Sequence, residues 1–179
     1  MKKKYIHEYA VEQSGKKAVL VYKGPLYSID LPPGRVMGIK ALVLLNALVL
    51  AALYAGMGWV GAFATRATYV GLPYAMAIIP IALICFDASR FYLRSGPMER
   101  RHYEGSFLRM YSLICILTAL AGVCIIGNMV YLVIIGGLPE SEYFFNPLAL
   151  LLITASFILR LQIKKISSKV TLSINPQKK

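Results

Sequence analysis

VMGIKALVLLNALVLAALYAGMGWVGA, residues 36–62, decides the fold. Apart from Lys40 near its start and Asn46, every position is apolar, small or aromatic. The run is also longer than the ~20 residues a helix needs to cross ~30 Å of hydrocarbon. Residues 69–88, 110–137 and 147–163 repeat the pattern. With 58% hydrophobic residues in a chain of 179, little remains from which to build a separate soluble core. The expectation is an all-α membrane protein of four transmembrane helices. A cytoplasmic segment, 1–35, precedes the transmembrane domain, 36–163. Within that domain 89–109 forms a cytoplasmic loop, and a basic tail, 164–179, follows.

Charge orients the helices. Of the 20 Lys and Arg, only Arg66 lies between the first two stretches, and none lies between the last two, where Glu140 and Glu142 stand. The others fall in residues 1–40, 90–109 and 160–179. The positive-inside rule then places both termini in the cytoplasm, as for a multi-pass protein of the cell membrane. A net charge of +12 would suggest nucleic acid in a soluble protein. Here it is split over three juxtamembrane segments, without a compact basic domain carrying interleaved aromatics. That distribution suits a lipid bilayer with anionic headgroups on its cytoplasmic side, at ~1 kcal/mol per base, and excludes nucleic acid as the partner. The Met1-Lys2-Lys3-Lys4 start leads into polar, mixed sequence rather than an apolar run, so the first helix is expected to be retained and not cleaved as a signal.

Outside the spans, Tyr5, His7, Tyr9 and Val11 alternate with Ile6, Glu8, Ala10 and Glu12, Ser14-Gly15 punctuates, and residues 18–22 have strong β propensity. This predicts a hairpin. The tail, 170–175, alternates strictly, and a third strand from it would complete a small cytoplasmic sheet; the alternative is that both tails are mobile. Residues 95–104 carry helix-start chemistry and are expected to lie in the headgroup region and run into the third span, with Gly105 as the weak point.

Within the spans, Ala47, Ala51, Ala55 and Gly58 offer a small-residue packing face. Pro80 predicts a kink. Trp59, Tyr69, Tyr74, Tyr143, Phe144 and Phe145 suggest an outer aromatic belt, and Phe91, Tyr92, Phe107 and Tyr111 an inner one. A shift of 74 residues places Arg35 on Arg109 and Ala47 on Ala121. It also places Tyr69, Pro73, Ala75, Ile79 and Ile84 on Tyr143, Pro147, Ala149, Ile153 and Ile158. Two helical hairpins in parallel repeat are the expectation.

Chemistry has few footholds. Polar residues in the spans are Asn46, Asp87, Thr118, Asn128, Thr154, Ser156 and Arg160. Asp87 is expected to pair with Arg160 or Arg90, and the Asn residues either to join helices or to line a path. His7 and His102 lack metal-ligand spacing, and Cys85, Cys115 and Cys124 form no CxxC. No catalytic, cofactor or metal site is assembled. The function expected is therefore that of a non-enzymatic accessory or interaction subunit, binding another membrane protein or itself. The alternative is a minimal transporter or channel made of duplicated hairpins.

The orientation is testable in a background lacking all three cysteines. Thr68→Cys and Ser141→Cys are expected to react with an impermeant maleimide on intact cells, whereas Ser14→Cys and Ser173→Cys are not. Labelling of Ser14→Cys on sealed cells reverses the topology.

Overall fold

In the computed structural model, residues 8–14, 17–60, 63–94, 96–135 and 142–173 are described. Tyr5, His7, Gly15 and the loop between the third and fourth spans lie outside them, as do the tail beyond residue 173 and the side chain of Tyr143. Helix α1 (Pro33–Trp59) opens on a proline, whose missing N–H costs nothing in a first turn. The second span is two helices, α2 (Thr68–Met76) and α3 (Ile78–Leu93). They are divided at Ala77, three residues before Pro80, which cannot donate to the carbonyl four residues before it. Ala77 N–H is shared instead between the Pro73 and Tyr74 carbonyls, both at 3.1 Å.

A single turn, α4 (Arg100–His102), passes through a π-helical turn, Tyr103–Leu108, into α5 (Arg109–Ile135). The loop helix and third span are thus one helical path. Gly105 sits in its widened turn without breaking it. Helix α6 (Glu142–Ser167) is the fourth span. Four helices are long and apolar enough to cross a membrane. In their most apolar windows only 22% to 33% of residues are buried. The outside of the bundle is therefore as apolar as its inside, a property of helices that belong in lipid or a larger core.

The bundle closes as a ring. Helix α1 packs on α3 and α6, and α5 packs on α6 and on both halves of the second span. The core stripe of α1 is Lys40, Val43, Ala47, Leu50 and Met57, which shares only Ala47 with the expected small-residue face. Ala47 is fully buried, but Ala51 is half-buried and Ala55 and Gly58 are exposed. Residues four apart advance about 40° around a helix with 3.6 residues per turn, so an unbroken four-residue row winds off the interface. Alternating steps of three and four stay on it. Gly58 still packs: a Cβ there would overlap the Tyr74 hydroxyl, as one on Gly71 would overlap the Thr65 carbonyl.

The aromatic belts are also revised. Trp59, Tyr69 and Phe144 are exposed as expected. Phe145, Phe91 and Phe107 are buried, and Tyr74 is joined to Tyr54. The repeat matches burial only in part. At a shift of 74, Val43 and Leu117, Ala47 and Ala121, and Leu50 and Cys124 are all buried. In the second helix of each hairpin, Pro73 and Ile84 are buried while Pro147 and Ile158 are exposed. There the buried sets align one residue later, Ile81 with Ser156, Ile84 with Leu159, Ala88 with Ile163. One residue turns a helix by about 100°, so the identical block does not mark equivalent environments.

At the end where both terminal segments lie, β1 (Tyr9–Ser14) and β2 (Lys17–Tyr22) form the expected antiparallel hairpin. The tail strand does not join it. Instead β3 (Leu26–Ile29) is flanked by β4 (Met98–Glu99) and β5 (Val170–Ser173), antiparallel to both, with Tyr27 opposite Met98 and Leu172. Four residues between Gly24-Pro25 and Pro32-Pro33 are too few to announce a strand without the partners that hold it.

Packing of α1 predicts a graded response. Ala47→Leu is expected to cost about 1–3 kcal/mol by overpacking, and Ala55→Leu less than about 0.5 kcal/mol as an outward-facing change. Thermal unfolding in mild detergent measures both; equal losses would restore the alanine face.

Candidate functional site

The polar groups of the long helices that sequence singles out are not gathered at one site. Thr118 and Thr154 hydroxyls donate to carbonyls of their own helices, Ile114 at 2.8 Å and Leu150 at 2.9 Å, where a Thr in a helix finds its cheapest acceptor. Asn128 is fully buried, and its Nδ2 donates 3.0 Å to Asn146 Oδ1, tying α5 to α6. Asn46 is half-buried on α1 and lines none of the cavities described below. Asn128 Oδ1 and Ser156 Oγ are buried without a hydrogen-bond partner. Cys85 Sγ lies 3.5 Å from the Ala47 carbonyl, and no cluster able to hold a metal occurs among the described residues.

The expected partners of Asp87 are corrected. Its carboxylate is fully buried and takes a two-point contact from Arg109, Nε to Oδ2 at 2.9 Å and Nη2 to Oδ1. Arg90 lies instead over the Phe86 ring, 5.1 Å from its centroid. Arg160 donates 2.6 Å to the Tyr111 hydroxyl and covers that ring at 4.8 Å. The reason is geometric: α5 enters the bundle beside α3, and its first residue, Arg109, stands at the depth of Asp87. A planar guanidinium there meets both carboxylate oxygens.

Polar chemistry gathers instead where the three segments outside the spans meet. Glu8 is buried at the base of the hairpin. The Tyr22 hydroxyl stands 3.1 Å from Glu8 Oε2 and 3.0 Å from the Pro25 carbonyl, and accepts the Arg100 backbone N–H at 3.2 Å. Arg100 reaches Glu8 Oε1 at 3.4 Å and Glu104 Oε1 at 2.8 Å. Tyr9 donates 2.8 Å to Glu99 and meets Tyr22 edge to face. Burial, with Glu8 beside it, pushes the Tyr22 phenol up to about 12. It therefore stays protonated at neutral pH and serves as a hydrogen-bonding post rather than a nucleophile. Inward of this knot runs an aromatic column. Tyr27 of β3 stacks on Tyr103 at 4.6 Å, Tyr103 on Phe107 at 5.7 Å, and Phe107 meets Phe91 of α3 edge to face at 5.2 Å.

Around the end of α3 lie two adjoining cavities of about 510 Å³ and 380 Å³ that share Phe91, Leu93, Arg94 and Met98. Lys40 lines the larger, and Arg90 and His102 the smaller. Sequence reasoning did not single out Lys40, Arg94, Arg109, Tyr22 or Asn146 as site residues. A lone base inside an apolar run was the available signal for Lys40; nothing local marks the others.

Comparison with known protein families, characterised proteins and solved structures finds no match.

A double-mutant cycle on thermal stability tests the ion pair. Asp87→Asn and Arg109→Gln are expected to show a coupling of about 1–3 kcal/mol, below the value for a wholly buried pair because Arg109 is 43% exposed. Asp87→Asn with Arg160→Gln is expected to be additive.

Proposed function

We propose that this chain is a small multi-pass protein of the cell membrane, with both termini in the cytoplasm, and that it works without catalysis as an accessory or interaction subunit. The observation that carries this reading is the convergence of three segments, widely separated in sequence, on one ordered platform. Residues 8–29, 96–108 and 170–173 supply a hairpin, a three-stranded sheet and a polar knot at one end of the bundle. Ordering them costs about 1–2 kcal/mol of backbone entropy per residue, which a passive tail does not incur. Such a platform offers a partner a rigid surface without the entropic cost of ordering it on contact.

The interior of the bundle supports the same reading. Asn46, Thr118 and Asn128 are dispersed over different contacts, whereas residues lining a transport path would face one cavity. The transporter reading, with duplicated hairpins of one orientation, is favoured by the three buried oxygens of Asn128, Ser156 and Gln162 that have no hydrogen-bond partner among the described residues.

Affinity purification of the full chain in mild detergent tests the proposal, alongside a chain lacking residues 1–22, which keeps β3 and its sheet. A stoichiometric partner, or a second copy by light scattering, is expected with the full chain and reduced at least tenfold with the shortened one. Saturable solute uptake by the purified protein in liposomes, with no partner retained, overturns it.

A further inference from the structure

We infer that the inner ends of α1 and α3 hold one anionic phospholipid, with its phosphate beside Arg94 and Lys40 and one acyl chain along α1. This rests on the membrane reading above.

Two cations here are paired with no carboxylate among the described residues. Lys40 is buried, at 8% exposure, and its Nζ donates to the Arg94 carbonyl and lies 5.5 Å from the Phe91 ring centroid. The Arg94 guanidinium is half-buried and has no carboxylate partner among the described residues. Neither cavity around them is lined by an acid. Glu8 and Glu104 are engaged on the hairpin side with Arg100, and Glu99 with Tyr9 and, at 3.8 Å, His102; Asp30, between the lining residues Ile29 and Leu31, is exposed and pairs with neither Lys40 nor Arg94. The carbonyl and ring satisfy the Lys40 ammonium in part but bring no full negative charge. A partly buried cation without a counter-charge is costly, and an anion entering the cavity removes that cost.

The shape of the surroundings selects the anion. An open groove of about 550 Å³ runs along α1 past Gly38, Ala41, Leu45 and Leu48. Tyr92 lines both this groove and the cavity holding Lys40 and Arg94, so the two adjoin at that ring. From Gly38 to Leu48 the helix rises about 15 Å, half of the ~30 Å hydrocarbon thickness, which is the depth of one leaflet. A Cβ on Gly38 would meet nothing within 4 Å, so the floor of the groove is open for a chain to lie in. A basic pocket at the leaflet surface joined to an apolar trough one leaflet deep is complementary to a single lipid, its phosphate in the pocket and its chain in the trough. A free phosphate would use the first part and leave the second empty. A zwitterionic headgroup would bring an ammonium towards Arg90, Arg94 and His102, and is disfavoured.

Native mass spectrometry of the full chain, purified in a neutral detergent and titrated with dioleoylphosphatidylglycerol or dioleoylphosphatidylcholine, tests the site. One phosphatidylglycerol per chain is expected, with about fivefold preference over phosphatidylcholine for each base engaged. Arg94→Gln, whose side chain is half-exposed, should lose about fivefold in that preference. Ala41→Trp, which fills the groove, should weaken both lipids at least threefold, and Lys164→Gln, a base elsewhere, should change neither. Phosphatidylglycerol binding equal in Arg94→Gln and Lys164→Gln overturns the proposal, as does equal competition by glycerol phosphate, which lacks acyl chains. Incorporation into phosphatidylcholine vesicles separates the two readings. A chain that incorporates but shows no preference retains its membrane assignment and loses the lipid site; a chain that does not incorporate loses both.

Discussion

A helix that is apolar on every side has no hydrophobic face to tell it which way to turn, and this constraint governs the whole bundle. Where the surroundings are as apolar as the core, burying one more leucine gains little, and close contact decides instead. The structure shows such contacts at each turn of the α1 interface. Ala47 lets the α3 backbone approach until Cys85 reaches its carbonyl. Gly58 makes room for Tyr74, and Tyr54 and Tyr74 each donate 3.1 Å to the other's backbone carbonyl with their rings stacked at 4.7 Å. These reciprocal bonds fix α2 against α1.

At the end where the sheet packs the rules change, because charged groups enter the contacts. Asp87 can be buried only because Arg109 closes on it from the neighbouring helix, a two-point contact that also fixes the rotation of α5 where it enters the bundle. The column from Tyr27 to Phe91 then couples that bundle to the sheet through ring contacts, beside the short chain links from β3 to α1, β4 to α4 and α6 to β5. Because β3, β4 and β5 come from three separate parts of the chain, the sheet forms only once the spans have brought those parts to one end. Platform and bundle are therefore interdependent. A partner on the hairpin and a lipid beside Arg94 would act on one connected unit, since Met98 of β4 lines both cavities at the end of α3.

Period, length and charge are local quantities, and they determined the four apolar helices, the hairpin at Tyr9–Tyr22, the break ahead of Pro80 and the placing of both termini at one end. They could not determine facing. The Ala47-Ala51-Ala55 row looked like an interface because it is small, yet a four-residue spacing drifts, and only the neighbouring helices select the stripe through Lys40, Val43 and Leu50. The matching block at Pro73 and Pro147 likewise looked like a register. A single residue of offset puts one proline in the core and the other outside. Partner choice was equally illegible: the sequence offered Asp87 Arg90 or Arg160, and the packing of α3 against α5 chose Arg109 instead. Strand β3 is legible only through β4 and β5, and the cationic cavity only through the meeting of α1 with α3. Sequence sets what each segment is; which faces meet depends on distances between segments far apart in the chain, and only the tertiary structure decides those.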